Sequence, residues 1–346
     1  LSAVALLGCI AFFLTEESTI GANIVVLTIA IIFQSFGQFF FSVFRGLNRF
    51  KEETASTFIS HVMLLLLMVF IFWTRAGVIG IALVILLARV AFFFYGIKTY
   101  LRYYRLSFES AFEINKIYLT LREGLPFALL IGSGLLFLSA DTFIIKYILG
   151  NVAVGLYQSG MRFVFAVLMI SETLVSAYLP TLSKWGIEDS TLFAEKARQL
   201  IRISVVVALP ISAIFILLPK IMVSLILGDA YRQTAELLPI FGLILLLRFL
   251  TISYGALLTA KGFQKARTAA IILSFIIFTV GAFSLIHPFG LVGVAFASVI
   301  AHIVLLYLYC KDVFIFEAQL FVGQKTAYLI IFSAGLLLVG FFLGLK

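Results

Sequence analysis

Charge is scarce in this chain. Of its 346 residues only 12% are Asp, Glu, Lys or Arg, while 63% are hydrophobic. A water-soluble domain needs a polar surface that such a composition cannot supply. Cysteine is almost absent, and Cys9 and Cys310 stand at opposite ends of the sequence, which argues against a disulfide framework or a thiolate metal site. Three histidines without a His-Glu-x-x-His arrangement give no zinc-hydrolase signature. No glycine-rich loop ends in Gly-Lys-Ser/Thr, so no nucleotide-hydrolysing site is encoded, and the Gly-x-Ser-x-Gly elbow of serine hydrolases is missing as well. No enzyme motif, metal or cofactor is therefore expected. Long polar loops are also lacking, which leaves little room for an external catalytic domain.

What the chain has is apolar length. Mean hydropathy is +1.18, and runs of about 20 residues recur throughout, each long enough to cross a bilayer as a helix. Eleven such segments are read at about 1–14, 20–44, 55–74, 78–97, 123–149, 156–181, 199–226, 237–258, 269–287, 289–310 and 325–345. The expected class is an all-α, polytopic membrane protein.

The net charge of +9 is distributed as a topology signal. Basic residues collect in every second loop, at Arg45, Arg49 and Lys51, then from Lys98 to Arg122, then at Lys184, Lys196, Arg198 and Arg202, then at Lys261, Lys265 and Arg267, and last at Lys311 and Lys325. Such alternation places those loops in the cytoplasm. It offers no reason to expect nucleic acid as a partner. The segment 98–122 has apolar residues at near-helical spacing opposite charges and reads as an amphipathic helix in the cytoplasmic interface. The stretch 183–198 is a second candidate of that kind.

An internal repeat organises these segments. Gly77-Val-Ile-Gly-Ile-Ala-Leu-Val-Ile-Leu-Leu-Ala-Arg-Val90 returns, without gaps, as Gly290-Leu-Val-Gly-Val-Ala-Phe-Ala-Ser-Val-Ile-Ala-His-Ile303. Each copy follows a basic loop and one apolar helix. Carrying the offset across the chain pairs helices that cross in the same direction, the pattern of two parallel lobes related about the membrane normal. The expected organisation is 1–97 as the remainder of an amino-terminal lobe, 98–122 as a linker, 123–313 as a six-helix carboxy-terminal lobe and 325–346 as an added helix. By this reckoning the first lobe is truncated by roughly 90 residues relative to a 6 + 6 core.

Several short motifs then carry a family resemblance. Gly124-Leu-Pro-Phe-Ala128, Asp141-Thr-Phe-Ile-Ile145, Leu149-Gly-Asn-Val-Ala-Val-Gly-Leu-Tyr157, Arg162 and Tyr178-Leu-Pro-Thr-Leu-Ser183 resemble the polysaccharide biosynthesis family of O-antigen and teichoic-acid exporters. The basic loops Arg45-Gly-Leu-Asn-Arg-Phe-Lys51 and Leu258-Thr-Ala-Lys-Gly-Phe-Gln-Lys265 look like that family's loops after its fourth and tenth helices. Members are flippases of lipid-linked oligosaccharides, in a superfamily that also holds the MATE drug exporters and the lipid II flippases. The resemblance implies two lobes forming a V around a cavity, alternating access, and residence in a bacterial or archaeal cytoplasmic membrane. The implied partners are a lipid-linked oligosaccharide, membrane lipids, and a proton or sodium ion.

Ionisable groups at mid-depth cost about 2.5–3.5 kcal/mol on insertion scales, so they usually face a protein interior or a wet cavity. Asp141 is the candidate ion-coupling carboxylate. Its structural alternative is a buried ion pair, for which Arg162 on the next helix is better placed than Lys146. Arg248 and Arg89 are candidate substrate-binding residues, because the planar guanidinium donates paired hydrogen bonds to phosphate and stays charged. Arg89 falls opposite His302 in the repeat, so polar groups occupy equivalent places. Arg162, Glu172 and His302 complete the substrate-binding candidates. The cationic set favours an anionic headgroup over the cationic drugs of a MATE exporter, and a membrane-embedded polymerase or glycosyltransferase is the reading from another class. His61 is expected at a helix start, His287 in an outer loop, and Pro210 at a kink in the 199–226 helix.

Overall fold

The computed structural model describes residues 18–46, 50–74, 77–103 and 114–316. The expected segments 1–14 and 325–345 lie outside them, as do Cys9 and the middle of the expected linker, 104–113. Helix accounts for nearly all described residues, and none of them forms a strand. The helices are α1 (Ser18–Gly46), α2 (Phe50–Thr74), α3 (Gly77–Tyr103), α4 (Ile114–Glu188), α5 (Ser190–Leu217), α6 (Pro219–Ile226), α7 (Thr234–Ala260) and α8 (Gln264–Phe316). Seven of the helices are long and apolar enough to cross a membrane. The chain divides into two compact units, Leu1–Ile114 and Asn115–Lys346.

In the first unit α1 packs against α3 through aromatic rings. Phe41 meets Phe92 with centroids 4.6 Å apart, and Phe41, Phe44 and Phe92 are buried. The approach depends on Gly37, where an added Cβ would stand 2.5 Å from the Phe92 ring. On α3 the buried face is Gly80, Ala82, Val84, Ala88 and Phe92. Small residues on both helices make room for rings from the other, Gly37 for Phe92 and Gly96 for Phe40 and Phe41.

Two hairpins frame the second unit. α4 is interrupted at Gly150 (φ 84°) and α8 at Gly290 (φ 55°). That backbone belongs to glycine because a Cβ would clash with the carbonyl in the left-handed region. Contacts symmetric about each break show that the arms fold back on one another: Gln158 reaches Asp141 across Gly150, and Gly281 approaches Ala297 across Gly290. At Gly293 a Cβ would run into the Leu285 carbonyl. Between the hairpins lies α7, apolar on every side and buried along most of its length. A helix of that kind is stable only as the centre of a bundle. Thr234 at its start donates to the Leu156 carbonyl (3.0 Å), fixing that end of α7 beside the Gly150 tip.

The repeat is visible in each unit taken separately. Gly77, at the start of α3, has φ 60°, matching Gly290 at 55°. Positions 80, 82, 84 and 88 are buried, and so are their counterparts 293, 295, 297 and 301.

Boundaries differ from the sequence expectations in four places. The expected 199–226 helix starts earlier and ends sooner. Asp189 caps α5, the helix stays regular through Pro210, and it breaks at Leu218 (φ −124°, ψ 36°), ahead of Pro219. Proline lacks the N–H that would continue the ladder but suits the first turn of α6. The stretch 183–198 is a tight helix-to-helix corner at Asp189, not an interfacial helix. His61 sits well inside α2, with Nδ1 2.7 Å from the Thr57 carbonyl, and His287 is within the first arm of α8. The expected outer loop 150–155 shrinks to Gly150, because the second arm is helical from 151.

Candidate functional site

The polar groups of the second unit fall into two levels. Counting at about 1.5 Å per residue, Asp141 and Gln158 stand roughly 12–14 Å from the Gly150 tip. On the same count Phe137 and Phe165 stand about 20–22 Å from that tip, Arg248 about 21 Å from the start of α7, and His302 about 18 Å from Gly290. That is close to mid-depth for helices of this length.

At the first level the Asp141 carboxylate is buried and accepts three hydrogen bonds on Oδ1, from the Thr142 amide (2.6 Å), the Thr142 hydroxyl (3.1 Å) and Gln158 Nε2 (3.3 Å). Gln158 also donates to Thr142 Oγ1 at 2.5 Å. One turn position away, the Tyr157 ring is fully buried edge-on to Phe241 (5.1 Å, 84°), and its hydroxyl finds no hydrogen-bond partner among the described residues. The carboxylate is thus clasped by its own hairpin.

At the second level Arg248 lies over the Phe165 ring at 5.1 Å, a cation–π arrangement. Its guanidinium is within electrostatic reach of Asp141, Glu172 and Tyr157, and also of His302. No carboxylate among the described residues pairs with it within 4.0 Å. His302 is buried, its Nδ1 is 2.7 Å from the Ser298 carbonyl, and its ring stacks on Phe137 (5.0 Å, 24°). Phe137 in turn packs on Phe278 at 5.8 Å.

Arg248 alone reaches both levels electrostatically, with Asp141 and Glu172 acting on it and His302 feeling its charge, while Asp141 and His302 stand on different levels. Arg162 is exposed and does not pair with Asp141. The alternative reading of a buried ion pair gives way to hydrogen bonds with Thr142 and Gln158, because the hairpin turns at Gly150 and sets Gln158, not Arg162, across from the carboxylate. Lys146 is exposed too. Arg89 belongs to the first unit, where its Nε is buried without a hydrogen-bond partner among the described residues. Cys310 is a free thiol. Among the described residues no His, Cys, Asp and Glu cluster could hold a metal ion.

Sequence reasoning did not single out Thr142, Gln158, Tyr157, Phe137 or Phe165 as site residues. The signal for Gln158 was present: with the turn placed at Gly150, Asp141 and Gln158 are almost equidistant from it. The aromatic pair had no such signal in a chain with 38 phenylalanines.

Comparison with known proteins fits this architecture. The lipid II flippase MurJ in an inward closed conformation superposes with a TM-score of 0.73 at 14% identity, covering 99% of this chain and 80% of that one. A MOP superfamily transporter from Pyrococcus furiosus gives 0.71 at 15%, covering 92% and 75%. The Vibrio cholerae MATE transporter VcmN gives 0.68 at 16%, covering 90% and 76%. At such identities the likeness is one of fold: this is a multi-pass helical membrane protein built like those transporters. Among curated proteins none matches the sequence. The family described as polysaccharide biosynthesis protein matches residues 1–236, more than half of the chain. The chain therefore belongs to the polysaccharide biosynthesis protein family.

Proposed function

We propose that this chain flips a lipid-linked oligosaccharide, of the undecaprenyl-pyrophosphate type, across the cytoplasmic membrane of a bacterium or archaeon by alternating access. Family membership and a transporter fold support a flippase or exporter. The observation that carries the choice of cargo is Arg248, a guanidinium at mid-depth with no carboxylate paired to it among the described residues. A buried cation without a counter-ion is costly, and an incoming pyrophosphate would supply the missing charge in the bidentate geometry arginine favours. Arg89, whose Nε is buried without a hydrogen-bond partner among the described residues, is the substrate-binding candidate of the first unit. Arg162, Glu172 and His302 are the remaining substrate-binding candidates.

Asp141 is assigned to ion coupling. A carboxylate held by neutral donors is free to take up a proton or a sodium ion, and the sequence offers no nucleotide site to power transport. A MATE-type exporter of cationic drugs would want an acidic interior, and the unpaired arginine opposes that reading. A polymerase or glycosyltransferase would need a sizeable loop, whereas the connections at Gly150 and Gly290 are single residues.

The test is Arg248→Ala in cells that depend on this protein for surface glycan. Export is lost while the protein still reaches the membrane in normal amount. Normal export by that variant would remove Arg248 from the site and the pyrophosphate reading with it.

A further inference from the structure

His302 has a fixed orientation and one free nitrogen. A carbonyl oxygen can only accept, so Nδ1, 2.7 Å from the Ser298 carbonyl, carries the proton of that contact. In the neutral ring Nε2 is then an acceptor, and among the described residues nothing donates to it. The ring cannot turn freely, because it is stacked on Phe137, which is itself braced by Phe278. Arg248 is within electrostatic reach on the neighbouring helix and carries only donors, backed by the Phe165 ring. The same repeat position in the first unit is Arg89, again a donor only. The second unit alone therefore carries, on neighbouring helices and at similar depth by residue count, a guanidinium and an aromatic-held acceptor.

That pairing matches one kind of group: an anion with a hydroxyl next to it. A phosphate satisfies Arg248, and a sugar hydroxyl supplies the hydrogen bond that Nε2 lacks. We propose that His302 reads the saccharide, accepting a hydrogen bond from a hydroxyl of the sugar adjacent to the phosphate bound by Arg248. This rests on the lipid-linked cargo proposed above and adds to it a residue that separates glycosylated carrier from bare carrier. A site built to accept from a hydroxyl penalises a ligand that lacks it, because its own polar atom is left unpaired.

The experiment is native mass spectrometry of the purified full chain with two probes, undecaprenyl pyrophosphate and the same lipid carrying one hexose. Wild-type protein binds the hexose-bearing lipid more tightly. His302→Phe keeps the stack on Phe137 but removes Nε2, so the preference for the hexose-bearing lipid over the bare one falls about five- to tenfold, the size of one hydrogen bond. His302→Gln, whose amide oxygen can accept, restores part of the preference. Equal losses for both lipids in His302→Phe, or an undiminished preference, would overturn the role of His302. So would a wild type that binds the two lipids equally. If wild-type protein binds neither lipid, the lipid-linked cargo falls first. If Arg248→Ala abolishes binding of both while His302→Phe retains the preference, only the sugar-reading role is lost.

Discussion

Gln158 donates to Asp141 across the Gly150 hairpin at 3.3 Å and reaches Thr142 at 2.5 Å in the same gesture. The carboxylate of the second unit is therefore held by an amide and a hydroxyl of its own hairpin, with no cation within ion-pair distance among the described residues. Neutral donors can be exchanged for a proton or a metal ion more readily than a charge partner can.

Asp141→Asn is expected to uncouple transport from its ion gradient. Flipping in reconstituted vesicles loses its response to imposed pH or sodium gradients, while Arg248-dependent substrate binding survives. Gln158→Leu removes one donor and weakens the response without abolishing it. An unchanged gradient response in Asp141→Asn would sink the coupling role.

Arg248→Lys keeps the charge but loses the planar fork and most of the stacking on Phe165. Transport is expected to drop at least about tenfold, equivalent to about 1.4 kcal/mol, despite the conserved charge. Initial flipping rates at subsaturating substrate check this, and wild-type rates would reduce Arg248 to a point charge.

The two glycines of the second hairpin fail for different reasons. At Gly290 a Cβ meets nothing, but the left-handed backbone (φ 55°) makes Gly290→Ala cost about 1–2 kcal/mol. At Gly293 the added methyl runs into the Leu285 carbonyl, so Gly293→Ala must spread the arms and costs more than Gly290→Ala. Thermal unfolding in detergent ranks the two, and equal midpoints would show that the arms yield without loss. Gly77→Ala, at φ 60° with open space, should behave like Gly290→Ala.

Asp189 caps α5 through Thr191 Oγ1 (2.6 Å), Thr191 N (2.8 Å) and Leu192 N (3.1 Å). These bonds, the Thr191 hydroxyl first among them, hold the carboxyl below the ordinary aspartate range. A carboxyl depressed by folding contributes stability that is complete above its unfolded value and lost as pH falls through its folded value. Melting temperatures followed downward through the carboxylate range should thus fall less steeply for Asp189→Ala than for wild type. Parallel curves for the two would show that the cap adds nothing pH-dependent.

Much of the architecture was legible from residue order, and particular residues show why. The apolar runs are long enough to cross a bilayer, and Gly77 and Gly290 were aligned before their shared left-handed backbone was seen. Alanines at 82, 88, 295 and 301 are buried because a close helix crossing accepts only small side chains, a requirement that leaves its mark in the letters. Helix ends were less legible. The break at Leu218 arises from Pro219, whereas Pro210 is carried inside a regular helix.

The sequence by itself determined that this is a helical membrane protein with a doubled pattern and a few costly charges at mid-depth. Hydropathy and periodicity act residue by residue, so they can be read along a string. Only the tertiary structure decided which of those charges meet. Asp141 found Gln158 and Thr142 instead of Arg162, Arg248 found the face of Phe165, and His302 found Phe137, because the rotation of each helix and the turn at Gly150 set the partners. A shift of one residue rotates a helix by about 100° and would have chosen others.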